Sequence, residues 1–342
     1  MRYSVIVPVY NRPEEVKELL ESLCAQTFTD FEVILVEDGS SIPCKSVARE
    51  YSNSLSINYL TKPNSGPGQS RNYGADRASG KYLIILDSDV MVPPGYFQAI
   101  EEELAAAPAD AFGGPDRAHP DFTPVQKAIN YAMTSFFTTG GIRGGKVKMD
   151  KFYPRSFNLG ISSAAYKALG GFSQMRFGED IDLSIRIFKA GYKCRLFPKA
   201  WVWHKRRTNL KKFFKQVHNS GIARINLFKK YPESLKLVHT LPAVFTVGVA
   251  ALLLIVLPVF LLVFPWWIAL LNSLSPLLLW CLAVFTDSSI RNKSTRIGAL
   301  SVVASFVQLT GYGSGFLRAW WLRCILGHDD EDLQAFRQTF YK

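Results

Sequence analysis

Lys81-Tyr82-Leu83-Ile84-Ile85-Leu86-Asp87-Ser88-Asp89 is the stretch whose reading decides the fold. An apolar run of strand character ends abruptly in two carboxylates one residue apart. In an open α/β sheet, ligands bind just beyond the carboxyl ends of the strands. Two acidic side chains placed there repel each other unless a cation lies between them. Hard oxygen ligands of this kind suit a divalent cation, Mg2+ or Mn2+, held jointly by carboxylates and substrate phosphates. Asp-x-Asp by itself is also a common turn, so the reading rests on its surroundings.

Toward the N-terminus, Ser4–Val9 is a β-branched run of buried-strand character, and Pro8 marks where its pairing stops. Pro13-Glu14-Glu15 opens a helix whose apolar face is Val16, Leu19, Leu20 and Leu23. Phe31–Val36 is a second strand ending in Glu37-Asp38-Gly39-Ser40, and a helix and a third strand, Ile57–Leu60, follow. This alternation predicts an α/β domain with a mainly parallel sheet flanked by helices. Asn64–Gly74 is a Gly-rich loop feeding a helix that carries Arg71, where backbone N–H groups and a guanidinium could receive phosphate. It has neither the P-loop pattern nor the dinucleotide fingerprint.

Beyond the central stretch, Phe112-Gly113-Gly114-Pro115 reads as a strand end, and Thr138–Lys148, with four glycines and three cations, as a loop. Gly178-Glu179-Asp180-Ile181-Asp182-Leu183 precedes a helix predicted over Asp182–Lys189 and stopped by Gly191. Three acids in four residues exceed what capping requires, and Asp182 is assigned to the cap. Arg195-Leu196-Phe197 is a further strand, followed by Trp201-Val202-Trp203-His204.

Taken in order, Val5–Asn11, Glu37–Ser40, Asn64–Asn72, Asp87–Asp89, Asn158-Leu159-Gly160, Gly170-Gly171-Phe172 and Gly178–Leu183 resemble the family 2 glycosyltransferases of the GT-A fold. The resemblance covers about residues 1–205. It implies an inverting transferase with a nucleotide-sugar donor. It also implies that Pro8 and Tyr10 border the base, Asp38 hydrogen-bonds it, and Arg71 lies on the diphosphate side. Asp87, Ser88 and Asp89 match the ribose- and metal-binding segment, and His204 a residue that completes the metal site. Asp180 matches the general base, with Glu179 and Trp203 on the acceptor side. Glu37 departs from the Asp common in the family. The processive members carry Gln-x-x-Arg-Trp, which Gln216-Val217-His218-Asn219-Ser220 does not match, so one sugar per encounter is expected.

The chain is 48% apolar, unevenly spread, with a net charge of +12. Its five scattered cysteines read as reduced thiols of an intracellular face, and Val5–Val9 is too short for a signal peptide. From Thr208, Leu210, Phe213, Phe214, Val217, Ile222, Ile225 and Phe228 recur at helical spacing among Lys211, Lys212, Lys215, Arg224, Lys229 and Lys230. This is a basic amphipathic helix suited to an anionic membrane surface. Residues 240–286 carry no charge. As helix they extend roughly 70 Å, too long for one crossing of a ~30 Å core. With Phe264-Pro265-Trp266-Trp267 in the middle, two spans are expected, about 241–264 and 267–286, and 297–317 is a third apolar segment. The expected domains are therefore 1–205 catalytic, 206–238 interfacial, 239–326 membrane, and a polar tail, 327–342.

Ten of the eleven charged residues in 205–236 are Lys or Arg, which puts the catalytic half on the cytoplasmic side of a bacterial or archaeal cell membrane. Arg291, Lys293 and Arg296 belong to the same side after two spans. A third span would carry Arg318 and Arg323 outside, so 297–317 either spans against the rule or is re-entrant or interfacial. Two enzyme readings follow: transfer to a hydroxyl of a lipid-linked or envelope glycan, or transfer to a polyprenyl phosphate. A nucleic-acid partner is not expected, because the cations cluster beside uncharged spans and no nucleic-acid motif is present.

Overall fold

A computed structural model describes residues 1–139, 152–175 and 177–328. Of these, 1–119, 152–175 and 177–205 form one compact unit, and 120–139 with 206–328 form a second.

The first unit is built on ten strands: β1 Tyr3–Val9, β2 Phe31–Asp38, β3 Ile57–Lys62, β4 Tyr82–Leu86, β5 Val90–Met91, β6 Ala111–Gly113, β7 Asp116–Arg117, β8 Asn158–Ser162, β9 Cys194–Leu196 and β10 Val202–His204. Seven form the main sheet in the order β3-β2-β1-β4-β8-β6-β9, and three form a small sheet, β5-β10-β7. The pairs β1–β2, β2–β3, β1–β4 and β6–β9 are parallel, whereas β8 is antiparallel to both β4 and β6. β1 stays paired to β2 through Val9, but its pairing to β4 ends at Ile6↔Ile85, before Pro8, which has no N–H to give.

Side chains alternate faces along a strand. Val5, Val7, Val33 and Leu35 therefore enter one core with Val16, Leu19, Leu20 and Leu23 of helix Pro13–Cys24. Ile6, Ile34, Val36 and Ile85 enter the other, with Leu183 and Ile187 of helix Glu179–Lys189. That helix begins three residues earlier than predicted. Gly178 holds φ 86°, a left-handed conformation open to glycine at little cost, so all three acids fall inside the first turn. Asp182 does not cap it; it is fully buried and pairs with Arg186 one turn on at 2.8 Å.

The second unit is helical: Pro124–Thr134, Phe136–Thr139, Leu210–Lys230, Leu241–Val263, Trp266–Asn292 and Thr295–Ile325. The last three are long and apolar enough to cross a membrane. Helix Trp266–Asn292 extends beyond the expected span to the turn at Lys293 (φ 50°). Thr138 and Thr139 are helical, while the rest of the expected 138–148 loop and residues 329–342 of the tail lie outside the described residues.

Candidate active site

The site is assembled at the carboxyl ends of β1, β2 and β4. Beyond β4 the chain turns through Asp87-Ser88-Asp89 into β5. β5 pairs antiparallel with β10, setting His204 opposite Val90, and the Lys205 N–H reaches the Asp89 carbonyl at 3.1 Å. This register brings His204 Nε2 to 3.4 Å from Asp89 Oδ1. Asp87, Asp89 and His204 present ligand atoms within 4.8 Å of one another. Ser88 between them is buried. The other ring nitrogen, Nδ1, faces Asp116 Oδ2 at 3.9 Å. Two hard carboxylates beside the imidazole Nε2 fit a divalent cation such as Mg2+ or Mn2+.

Each carboxylate also has an arginine. Arg71, on helix Pro67–Ala75 and 3% exposed, reaches Asp87 at 2.7 Å with one terminal nitrogen and Glu179 at 3.0 Å with the other. Phe172 lies under its guanidinium. Arg12 reaches Asp89 at 2.5 Å. Its position is set by Asn11, whose φ of 54° turns the chain at the end of β1. The Asn11 carboxamide oxygen holds that turn by accepting from Ile42 N–H at 2.9 Å. Arg12 is a site residue the sequence reading missed. The visible signal was an Asn, tolerant of left-handed backbone, directly after a strand end.

Asp180 stands in the first turn of its helix, 3.2 Å from Arg155 Nη1, with Oδ1 accepting from the Ile181 N–H at 2.8 Å. Glu179 beside it is raised to about 7, first by burial and also by the Asp180 charge, with Arg71 pulling the other way. On β2, Asp38 is fully buried; Lys62 and the N–H groups of Ser65 and Gly66 donate to its carboxylate, the latter two at 2.9 and 2.8 Å. Glu37 turns the other way and accepts from Cys44 N–H and Tyr59 Oη, both at 2.9 Å, and from Ser40. The longer side chain at this position thus organises the turn after β2. Pro8 sits inside β1 and Tyr10 just past its end, on the same rim of the sheet. Trp203 points away from His204, as neighbours on a strand must, and packs on Trp201 at 4.7 Å and His119 at 5.6 Å.

Residues 4–167 match the family model described as glycosyl transferase family 2. The chain carries a family 2 glycosyltransferase domain. The chain is 28% identical over 227 residues to validoxylamine A glucosyltransferase of Streptomyces hygroscopicus subsp. jinggangensis, covering 58% of this chain and 54% of that protein. It is 39% identical over 93 residues to the poly(ribitol-phosphate) beta-N-acetylglucosaminyltransferase TarS of Staphylococcus aureus, covering 26% of this chain and 16% of that protein. The chain thus spans about half or less of the length of these curated relatives. Among solved structures it is similar to the mannosyltransferase PcManGT of Pyrobaculum calidifontis, in complex with GDP-Man and Mn2+. The TM-score is 0.63 at 16% identity, over 94% of this chain and 88% of that one. The fold is GT-A, as the glycosyltransferase motifs implied.

Proposed function

We propose that the protein is a membrane-bound, metal-dependent inverting transferase that moves one sugar from a nucleotide-sugar donor to a hydroxyl of a lipid-linked or envelope glycan, with its glycosyltransferase domain on the cytoplasmic side. The observation that carries this reading is the convergence of Asp87, Asp89 and His204 at the end of β4, with Asp180 on a neighbouring helix N-terminus. Asp87, Asp89 and His204 would hold a divalent cation, which supplies positive charge to the leaving diphosphate. The Mn2+ in the mannosyltransferase structure makes that ion the first to test. Asp38, Pro8 and Tyr10 frame the base, and Ser88 backs the ribose side. Arg71, committed to Asp87 and Glu179, positions those carboxylates rather than reaching out to the donor.

Asp180 takes the proton of the acceptor hydroxyl while that oxygen attacks the anomeric carbon from the face opposite the diphosphate. Arg155 orients the carboxylate. A sugar hydroxyl is a poor nucleophile until something accepts its proton, and a positioned base contributes about 10²–10⁴-fold. Asp180→Asn is therefore expected to lower turnover at least about 10²-fold with little change in donor binding. Turnover and donor binding measured on one folded preparation check this. Retention of more than about a tenth of wild-type turnover would move the assignment to an acceptor that is already an anion, a polyprenyl phosphate.

A further inference from the structure

We propose that only two of the three apolar helices cross the membrane, and that Thr295–Ile325 lies in the membrane surface across the open end of the other two. This rests on the membrane-bound reading and goes beyond it. Leu241–Val263 and Trp266–Asn292 form a hairpin: Phe264-Pro265 turns the chain, and Phe245 meets Trp280 across the legs at 5.3 Å. Its open end is therefore marked by Pro242 on one leg and Ser289 on the other.

The third helix touches both of those marks. A Cβ at Gly298 would lie 2.0 Å from Ser289 Oγ, and the Ser288 hydroxyl donates across to Ser301 Oγ at 2.7 Å. A Cβ at Gly313 would lie 2.4 Å from the Pro242 carbonyl and 2.1 Å from Thr246 Oγ1. Between them Phe306 packs on both Phe245 and Trp280. Gly298 and Gly313 belong to one continuous helix, so about 22 Å of rise separates them. A helix running up beside the legs would carry Gly313 about 22 Å further toward the hairpin turn than Gly298. It instead meets the first turn of the opposite leg. The helix therefore crosses the hairpin's open end.

The basic helix Leu210–Lys230 fixes the same plane. Val217 lies against Gly311, His218 against Gly315, Gly221 against Phe316, and Asn226 accepts from Arg323. Both numberings climb together, so the two helices run parallel and side by side. Lys211, Lys212, Lys215, Lys229 and Lys230 remain exposed along the basic helix. A helix with that charge lies among anionic headgroups rather than in hydrocarbon, and its partner lies with it. Arg318 and Arg323 then stay on the side that carries the other cations, which removes the conflict a third span would create.

Labelling with a membrane-impermeant maleimide in sealed vesicles, mapped by peptide mass spectrometry, tests this. The natural Cys324 is exposed, and His328→Cys adds a polar reporter just beyond it. Lys236→Cys, before the first leg, and Phe264→Cys, at the hairpin turn, are the references. Cys324 and His328→Cys are expected to label from the side that labels Lys236→Cys, with Phe264→Cys labelled only from the other. Labelling of position 328 with Phe264→Cys, or from neither side, would overturn the in-plane helix while leaving the membrane-bound reading intact. Labelling of Lys236→Cys and Phe264→Cys from one side would overturn the membrane-bound reading itself, and this proposal with it.

Discussion

At the scale of single residues, the site is a set of carboxylates whose charges are held by fixed cations. Arg12 and the proposed metal compete for Asp89. A guanidinium at hydrogen-bond distance neutralises the carboxylate and repels a divalent ion approaching the same oxygens. Arg12→Gln is therefore expected to tighten Mn2+ binding about tenfold without donor, equivalent to about 1.4 kcal/mol. A Mn2+ titration of wild-type and variant protein, monitored by calorimetry, checks this; equal or weaker binding contradicts it. Glu179 gives a pH signature. Its carboxyl is raised from 4.5 to about 7 in the folded protein, so between those values the folded state holds more protons than the unfolded one. Its contribution is full below the unfolded value and is lost as pH rises toward about 7. Stability should fall through that window by up to about 1.4 kcal/mol per pH unit from this group. Glu179→Gln cannot titrate and should flatten the slope, as read by denaturant unfolding at pH 5, 6 and 7.

At the scale of elements, the antiparallel pairing of β6 with β8 in the main sheet depends on close packing. Gly160 on β8 faces the Phe112 ring, and a Cβ there would lie 2.1 Å from it. Phe112 is itself stacked on Phe197 at 4.5 Å and has no room to retreat. Gly160→Ala is expected to cost about 1–3 kcal/mol, read as a lower unfolding midpoint with reduced activity. Asn158-Leu159-Gly160 was legible in the sequence as a motif, but the reason for its glycine was not, because the ring it faces is some fifty residues away. The strands β1, β2 and β4 were legible because β-branched runs ending in turns have few other fates. The start of helix Glu179–Lys189 is not legible in the sequence, because a left-handed Gly178 serves as its entry without any side-chain cap. Asp87, Asp89 and His204 were legible as types, whereas their meeting depends on the β5–β10 register, a pairing between segments over a hundred residues apart. Arg12 and Lys62 are not legible in the sequence, because a cation after a strand has many uses until its carboxylate partner is known.

At the scale of the whole molecule, the division of the chain is not the one its composition suggests. Helix Pro124–Thr134 falls within the catalytic-looking half, yet Ala128, Ile129, Ala132 and Met133 pack with Phe213, Val217 and Ala304 of the second unit. A truncation after Lys205 therefore removes the cover from that face. The truncated chain is expected to leave solution as aggregates or to require detergent, and size-exclusion chromatography in buffer with and without detergent reads the difference. The additional changes Ile129→Ser and Met133→Ser should recover a monodisperse peak by making the uncovered face polar.

The same helix imposes a schedule on synthesis. Ala132 leaves the ribosome 172 residues ahead of Ala304, its neighbour in the finished core. At about 5–20 residues per second this is a delay of roughly ten to thirty seconds. Until Phe213 and Val217 emerge, and on its Ala304 side until the end, one apolar helix face waits on a nascent chain whose neighbouring strands can already fold. A holding chaperone or the bilayer surface is what a growing polypeptide meets in that interval.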